Sequence, residues 1–382
     1  MGCRYDAQGN KPMTKSPCIP DTLPVENLDW QRLAGFTSKA TLAVARFDGT
    51  LSGMVNAAVL LSPITSREAV LSSRIEGTQA SLVEVLQHEA GEEYTEEKQW
   101  DIREVINYRR ALLMAEKALE ERPISLQLIR ELHAMLMENV RGGDQTPGAF
   151  RTVQNWIGAP GCSIEQARFI PPTPLVMQDA MENLAAYVAS DDTDPLVQLA
   201  VLHAQFEIVH PFRDGNGRLG RMLIPLFLYQ KGVLQRPMFY LSEYLEEQDG
   251  EYRDRLLAIT DSGDWQGWIE FFLRALHHQA ERNTERAQKI HLLYDEMKQQ
   301  FVEATHSQFA THALDAFFSR PIMNGSDFSK ISGIENRGTA SHLLRRLHQG
   351  ELIKVMRQGA GQRPSIYALP ALLNITEGRE VF

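Results

Sequence analysis

This chain has little of what staples or anchors a protein. Its 382 residues include three cysteines, Cys3, Cys18 and Cys162. The number is odd and no Cys-x-x-Cys spacing occurs, so neither a disulfide framework nor a thiolate zinc site is expected. Reduced thiols in a cytoplasmic protein are the expectation. No uninterrupted apolar run approaches the length of a membrane span, so no membrane contact is expected. The opening Met-Gly-Cys-Arg-Tyr-Asp lacks the apolar core of a signal peptide, and Asp6 stands where myristoylation needs Ser or Thr. Low-complexity tracts and internal repeats are also absent. Positive charge is in deficit, with a net charge of −10 at pH 7, which excludes a surface that binds nucleic acid all over. What remains is an ordinary soluble composition, 43% hydrophobic and 23% charged, long enough for two or three domains with a sizeable core.

Against this background one stretch is dense in chemistry: His210-Pro-Phe-Arg-Asp-Gly-Asn-Gly-Arg-Leu-Gly-Arg221. Backbone N–H donors in a glycine-rich run, flanked by arginines, suit a polyphosphate, because amides and guanidinium forks both favour anionic oxygen. His210 supplies a proton acceptor near neutral pH. Asp214 is a hard oxygen ligand where a phosphate-bound magnesium would need one. The stretch therefore reads as a phosphoryl- or nucleotidyl-transfer site.

Two other patterns overlap it. Gly215-x-Gly217-x-x-Gly220 formally meets the dinucleotide-binding fingerprint, which requires a preceding strand. The preceding run from Asp194 to Val209 is too long for a strand and apolar at helical spacing. Glu207-x-x-His210 and Glu303-x-x-His306 match the di-iron bundle signature. That site needs both copies in one bundle with two more glutamates, and the glycine-arginine run would have no purpose there.

Residues 1–20 are polar and rich in Gly and Pro, and read as a loosely held arm. Helices are expected between 24 and 90, with a start after Pro63 leading into Ser66–Gly77. There Val70 and Ile75 face a core while Ser72 and Glu76 share the other face. Further helices are expected from Asp101 to Glu121, from Ser125 as cap to about Val140, from Pro174 to Ser190, from Asp194 into the glycine-rich loop, and from Gly217 towards Gln230. More helix is expected from Tyr244 to Thr260 and from Trp265 to about Thr305. Arg141–Gly148 is a loop by composition. Phe150–Ile157 and Ala167–Ile170 suggest a long-looped β-hairpin closed by Pro171, Pro172 and Pro174. The last eighty or so residues read as a helix-turn-helix followed by a small hairpin, the pattern of a winged helix.

The 210–221 stretch is similar to the Fic signature His-x-Phe-x-Asp/Glu-Gly-Asn-Gly-Arg-x-x-Arg at every defined position. The resemblance covers about residues 24–290. It implies a mainly α fold, a Fic helical core with a β-hairpin flap, to which a C-terminal winged helix is appended. The implied division is an N-terminal arm over 1–23, a helical inhibitory segment over 24–100, a catalytic core over 101–290 and the winged helix over 291–382. Members of this family mostly transfer AMP from ATP to a protein hydroxyl, releasing pyrophosphate. By resemblance, His210 is the general base and Asp214 holds Mg2+ between the α- and β-phosphates. The amides of Gly215, Asn216 and Gly217, with the Asn216 side chain, form an anion hole, and Arg218 and Arg221 take the β- and γ-phosphates. Nucleotide binding is thus expected along Gly215, Asn216, Gly217, Arg218, Leu219, Gly220 and Arg221, with Gly220 also allowing close helix packing. Tyr252 lies where relatives place a tyrosine near the adenine, and Phe212 reads as a core anchor.

Ser72-x-x-x-Glu76-Gly77 resembles the family's inhibitory motif. It implies that Glu76 pairs with Arg221 and denies that guanidinium to the γ-phosphate. In some relatives the same glutamate helps remove AMP from a modified target, so de-AMPylation is implied as well. The hairpin over 151–172 resembles the target-docking flap, whose edge can pair with an extended target backbone. Self-AMPylation and a homodimer are further expectations of partnership. Residues 320–364 contain eight Lys or Arg (Arg320, Lys330, Arg337, Arg345, Arg346, Lys354, Arg357 and Arg363) against three acids, a basic island that makes DNA a candidate partner through 326–364. Two functions follow: an autoinhibited protein adenylyltransferase or, alternatively, a DNA-binding regulator whose Fic core senses ATP.

Overall fold

The computed structural model describes residues 16–140, 146–159, 161–191, 194–361 and 363–382. Most of the expected arm, Cys3 and residues 141–145 of the expected loop lie outside them. In chain order the helices are α1 (Trp30–Ser52), α2 (Ala57–Leu60), α3 (Ser62–Ile75), α4 (Leu82–Glu89), α5 (Glu96–Leu119), α6 (Leu126–Leu136), α7 (Pro174–Ala189) and α8 (Pro195–Val209). They continue with α9 (Asn216–Gln230), α10 (Ser242–Glu247), α11 (Asp249–Ser262), α12 (Trp265–Thr305), α13 (Ala310–Ser319), α14 (Gly325–Ser332), α15 (Arg337–Gln349) and α16 (Pro370–Glu377). The strands are β1 (Ile322–Asn324), β2 (Lys354–Arg357) and β3 (Ile366–Ala368). The molecule is mainly helical, as its sequence periodicity implies. The chain divides into two units, residues up to Ala45 with Asn107–Ala280, and Arg46–Ile106 with Glu281–Phe382. This is not the serial division expected from the sequence.

The first unit is centred on α8 and α9, which pack against each other. Helix α8 is apolar on every face and buried along nearly its whole length, the behaviour of a helix with no solvent side. It starts sharply because the Asp194 carboxylate accepts the amides of Leu196 and Val197 at 2.8 and 3.0 Å, with Pro195 in the first turn. Helix α6 is amphipathic and capped by Ser125, as its spacing predicts, and turns Leu128, Ile129, Leu132 and Leu136 inward. Helices α6, α7 and α11 surround the central pair, and Trp268 fixes α12 to α8 through its indole N–H on the Ala200 carbonyl, 2.8 Å away.

Three expectations change here. Residues 18–23 are not loosely held: the Cys18 amide donates to the Ile170 carbonyl at 2.9 Å, Leu23 and Asn183 exchange two hydrogen bonds, and Gln205 donates to the Asp21 carbonyl. The segment 151–172 forms one isolated antiparallel bridge, Ile157 to Phe169, plus a 3-10 turn at Ile164–Gln166, rather than a laddered hairpin. Pro171 and Pro172 lack the donors that would extend the ladder. The helix expected over 244–260 is two helices, α10 and α11, broken at Gln248.

In the second unit, α13, β1, α14, α15, β2 and β3 follow one another, and the strands form an antiparallel sheet in the order β1-β3-β2. Ile322 pairs with Ala368 and Asn324 with Ile366, while β2 carries an irregularity between Val355 and Arg357. Buried Phe317 and Phe328 pack with ring centroids 5.8 Å apart beneath α13 and α14. Helices α2 and α3 lie on α13, α3 also on α16, and α4 on β1. Helix α3 starts at Ser62 with Pro63 in its first turn, and Ser66, Glu68, Ser72 and Ser73 are buried along it. The face expected to be shared by Ser72 and Glu76 is split: Ser72 is inside and Glu76, at the helix end, is exposed.

Candidate active site

His210 ends α8 with a left-handed backbone, φ 47°, a conformation that costs an L-residue roughly 1–2 kcal/mol and is held only by its surroundings. Its Nδ1 lies 3.3 Å from the Glu207 carbonyl oxygen. A carbonyl only accepts, so Nδ1 carries the proton and Nε2 is left with a lone pair, the tautomer a general base needs. Phe212 is fully buried and stacks on His133 at 3.7 Å with an 8° interplanar angle. It is the core anchor the sequence suggests.

Gly215 caps α9 with φ 76°, and a Cβ there would meet the Met137 sulfur at 2.9 Å. Only glycine satisfies both conditions. The amides of Asn216, Gly217 and Arg218 form the first turn of this fifteen-residue helix, where N–H groups have no intrahelical acceptor and the helix dipole favours an anion. The Asn216 side chain is engaged differently from the expectation. Its Oδ1 accepts the Phe212 amide and its Nδ2 donates to the Phe212 carbonyl, both at 2.9 Å. It clamps the loop, and only its backbone amide is left for an anion. Asp214 accepts the Gly215 amide at 2.6 Å, lies 3.9 Å from the Arg218 guanidinium, and keeps a half-exposed side chain.

Arg218 and Arg221 are buried, and Arg218 lies 3.6 Å from the Met137 sulfur. The nucleotide contact expected of Leu219 is corrected, while Gly220 takes the helix-packing role also expected of it. Leu219 has a fully buried side chain and its amide donates to the Gly215 carbonyl, so neither group faces a ligand. At Gly220 a Cβ would collide with the Glu207 carboxylate and press on Phe206, so this glycine lets α9 approach α8. Tyr252 is also corrected. It is buried and its hydroxyl lies 2.9 Å from His203 Nε2. His203 Nδ1 faces the Gly220 carbonyl at 3.2 Å, so Nδ1 donates and Nε2 accepts the tyrosine proton. Tyr252 thus supports the α8–α9 contact through its hydroxyl.

Three supporting side chains had no signal in the sequence. His133 accepts the Gly148 amide on Nδ1 at 2.8 Å and donates from Nε2 to the Asp214 carbonyl at 3.0 Å. Burial pushes it down to about 4, so it is neutral and suited to both bonds. Burial, with the Arg221 charge adding to it, pushes His203 down to about 3. Arg151 is fully buried and donates to the carbonyls of His210, Val209 and Pro172 at 2.9, 3.3 and 2.6 Å. A histidine in the apolar stripe of α6 and an arginine after a loop read as a core residue and a surface residue. Nothing in one sequence places them under the loop.

A sequence model of the Fic/DOC family matches residues 123–228, and one of the Fic/DOC family N-terminal domain matches residues 35–117. A probable protein adenylyltransferase of Aquifex aeolicus is 24% identical over 327 residues, spanning 80% of this chain and 86% of that protein. The Caenorhabditis elegans protein adenylyltransferase Fic-1 is 30% identical over 116 residues, a match that spans only 21% of its own length. Among solved structures, a Fic family protein from Desulfovibrio desulfuricans superposes with a TM-score of 0.55 at 18% identity, covering 93% of this chain and 98% of that one. A Fic domain containing signaling protein from Bacteroides thetaiotaomicron gives 0.54 at 19% identity, covering 66% and 97%. These solved structures share the architecture described above, so the fold is a Fic fold.

Proposed function

We propose that the chain is an ATP-dependent protein adenylyltransferase that transfers AMP to a Ser, Thr or Tyr hydroxyl, and that its N-terminal segment holds it in check. The observation that carries this reading is the junction of α8 and α9, with a histidine whose Nε2 is left as acceptor on one side and a helix N-terminus with Asp214 on the other. The target oxygen attacks the α-phosphorus, an O–P bond forms, and the bond to the β-phosphate oxygen breaks as pyrophosphate leaves. The target's proton passes to His210 Nε2. Charge developing on the α-phosphate is met by the first-turn amides of α9, and Arg218 and Arg221 serve the β- and γ-phosphates. Asp214 fits a magnesium ligand: it is a half-exposed hard carboxylate, and a single carboxylate suits an ion that binds mainly through water and substrate phosphates. When bound, the ion would supply charge neutralisation on those phosphates.

Restraint is assigned to Glu76, within the segment matched by the N-terminal model, as the partner that withdraws Arg221 from the γ-phosphate. A carboxylate in that role also suits activation of water, hence de-AMPylation. The target docks on 151–172, where Val153 and Trp156 are exposed, and the protein's own hydroxyls are further acceptors. The second unit's order of elements and its β1-β3-β2 sheet support a C-terminal winged helix. The exposed Arg337, Ser341 and Arg345 on α15 favour the second reading, a DNA-binding regulator. Incubation with α-labelled ATP and magnesium separates the two. Label on protein supports the transferase, and duplex binding with no transfer supports the regulator.

A further inference from the structure

Arg151 is the largest buried cation near His210 for which the proposed chemistry has no role. It is 1% exposed, and among the described residues no carboxylate forms an ion pair with it. Burial without a counter-charge pulls its guanidinium down to about 10, so it remains charged at neutral pH. Burying such a group costs several kcal/mol unless every donor is satisfied, and an apolar residue of similar volume often serves stability as well or better.

Its compensation is unusual in being all backbone. Nε donates to His210 O, Nη2 to Val209 O and Pro172 O, Nη1 to Val153 O at 3.4 Å, and its own amide to Pro211 O at 2.9 Å. Val209 and His210 are the C-terminal end of α8, where carbonyls lack intrahelical donors and the dipole is negative. One side chain therefore closes that helix end, holds the peptide of the residue with φ 47°, and ties together both ends of the 151–172 segment.

We propose that Arg151 is a positioning residue for transfer: through the His210 carbonyl it fixes the direction of the His210 ring relative to the flap on which the target hydroxyl is presented. This rests on the reading of His210 as general base. The nucleotide groups lie on the other arm of the loop, in α9, whose start is held by Asn216 and by His133 on the Asp214 carbonyl. Loss of Arg151 thus displaces the base from the hydroxyl while leaving the phosphate cradle in place. A displacement of about 1 Å at a reacting group costs on the order of 100-fold.

The test measures kcat, KM for ATP, ATP affinity and melting temperature for Arg151→Met and Arg151→Lys in the full chain, each also combined with His210→Ala. Arg151→Met is expected to lower kcat by about 10- to 100-fold with KM for ATP within about twofold. Arg151→Lys, which keeps the charge but reaches fewer carbonyls, is expected to fall between it and the parent. In the His210→Ala background neither change is expected to lower the residual rate further. An unchanged kcat in a folded Arg151→Met protein overturns the proposal. So does a loss of kcat and ATP affinity together in both variants, which makes Arg151 a support of the fold alone, or a full further loss on top of His210→Ala. If His210→Ala itself transfers AMP at the parental rate, the reading of the base fails independently of Arg151.

Discussion

Two stretches of this chain are dense in arginine, and they use it differently. In 210–221 the guanidinium groups of Arg218 and Arg221 are buried beside the first turn of α9, next to oriented amides and Asp214. In 320–364, two of the eight cations that make a basic island in the sequence are answered by acids distant along the chain. Arg357 pairs with Glu92 at 2.5 Å and Arg363 with Glu93 at 2.7 Å, while Arg320 lies 3.8 Å from Asp327 and Arg346 donates to the Ala304 carbonyl. A count of cations is a statement about composition. A site needs cations beside unsatisfied backbone donors in a low-dielectric setting.

The sharpest way to break this contrast is at the first stretch. His210→Ala is expected to lower AMP transfer by at least about 100-fold, since general-base catalysis supplies 10²–10⁴-fold, while ATP binding by calorimetry is retained. Substantial transfer by this variant would reduce the signature stretch to a nucleotide cradle. Next in size, Glu76→Gly is expected to raise transfer, including self-modification, by about tenfold or more, since the buried Arg221 guanidinium loses a carboxylate that competes with the γ-phosphate for it. The gain is expected to vanish when Arg221→Ala is added. Independent effects in that double-mutant cycle would mean the two side chains do not interact, and a fall for Glu76→Gly alone would make Glu76 part of the forward chemistry.

A smaller effect concerns the supports of the loop. His133 and His203 are pushed down to about 4 and about 3, below the ordinary value near 6.5, so the unfolded chain binds more protons than the folded one between those limits. Their contribution is complete above about pH 6.5 and is lost as pH falls, by up to about 1.4 kcal/mol per histidine per pH unit down to about 4 for His133. Urea unfolding at pH 7 and pH 5.5 is expected to show this loss, and His133→Gln is expected to show a shallower one. An equal slope in the variant would mean that other groups carry it.

The smallest effect sharpens the second stretch. Glu92→Gln with Glu93→Gln removes two pairs in which the Arg363–Glu93 members are mostly exposed. An exposed pair such as Arg363–Glu93 is worth at most about 1 kcal/mol, so the more covered Arg357–Glu92 pair is expected to carry most of any small fall in melting temperature. If α15 and the β2–β3 hairpin bind duplex DNA, low-salt affinity should rise a fewfold as Arg357 and Arg363 are released. No change would leave the island without a role in nucleic-acid binding.

The helices were legible because their signals are local. Asp194 and Ser125 stand at caps, Pro63 and Pro195 fall in first turns, and the apolar run of α8 lacks any polar face. The loop proposed to hold the nucleotide was legible for the same reason: its amides, glycine cap, histidine and carboxylate lie within twelve consecutive residues, and backbone geometry alone brings them together. What only the tertiary structure decided depends on partners far away in sequence. The Asn216 side chain and the Leu219 amide proved to be committed to the loop itself, and Tyr252 to His203. Ser72 is buried, and Arg357 and Arg363 are paired with Glu92 and Glu93. Donors and charges can be counted along a chain, but whether each is already used depends on which groups folding brings within about 3 Å of it.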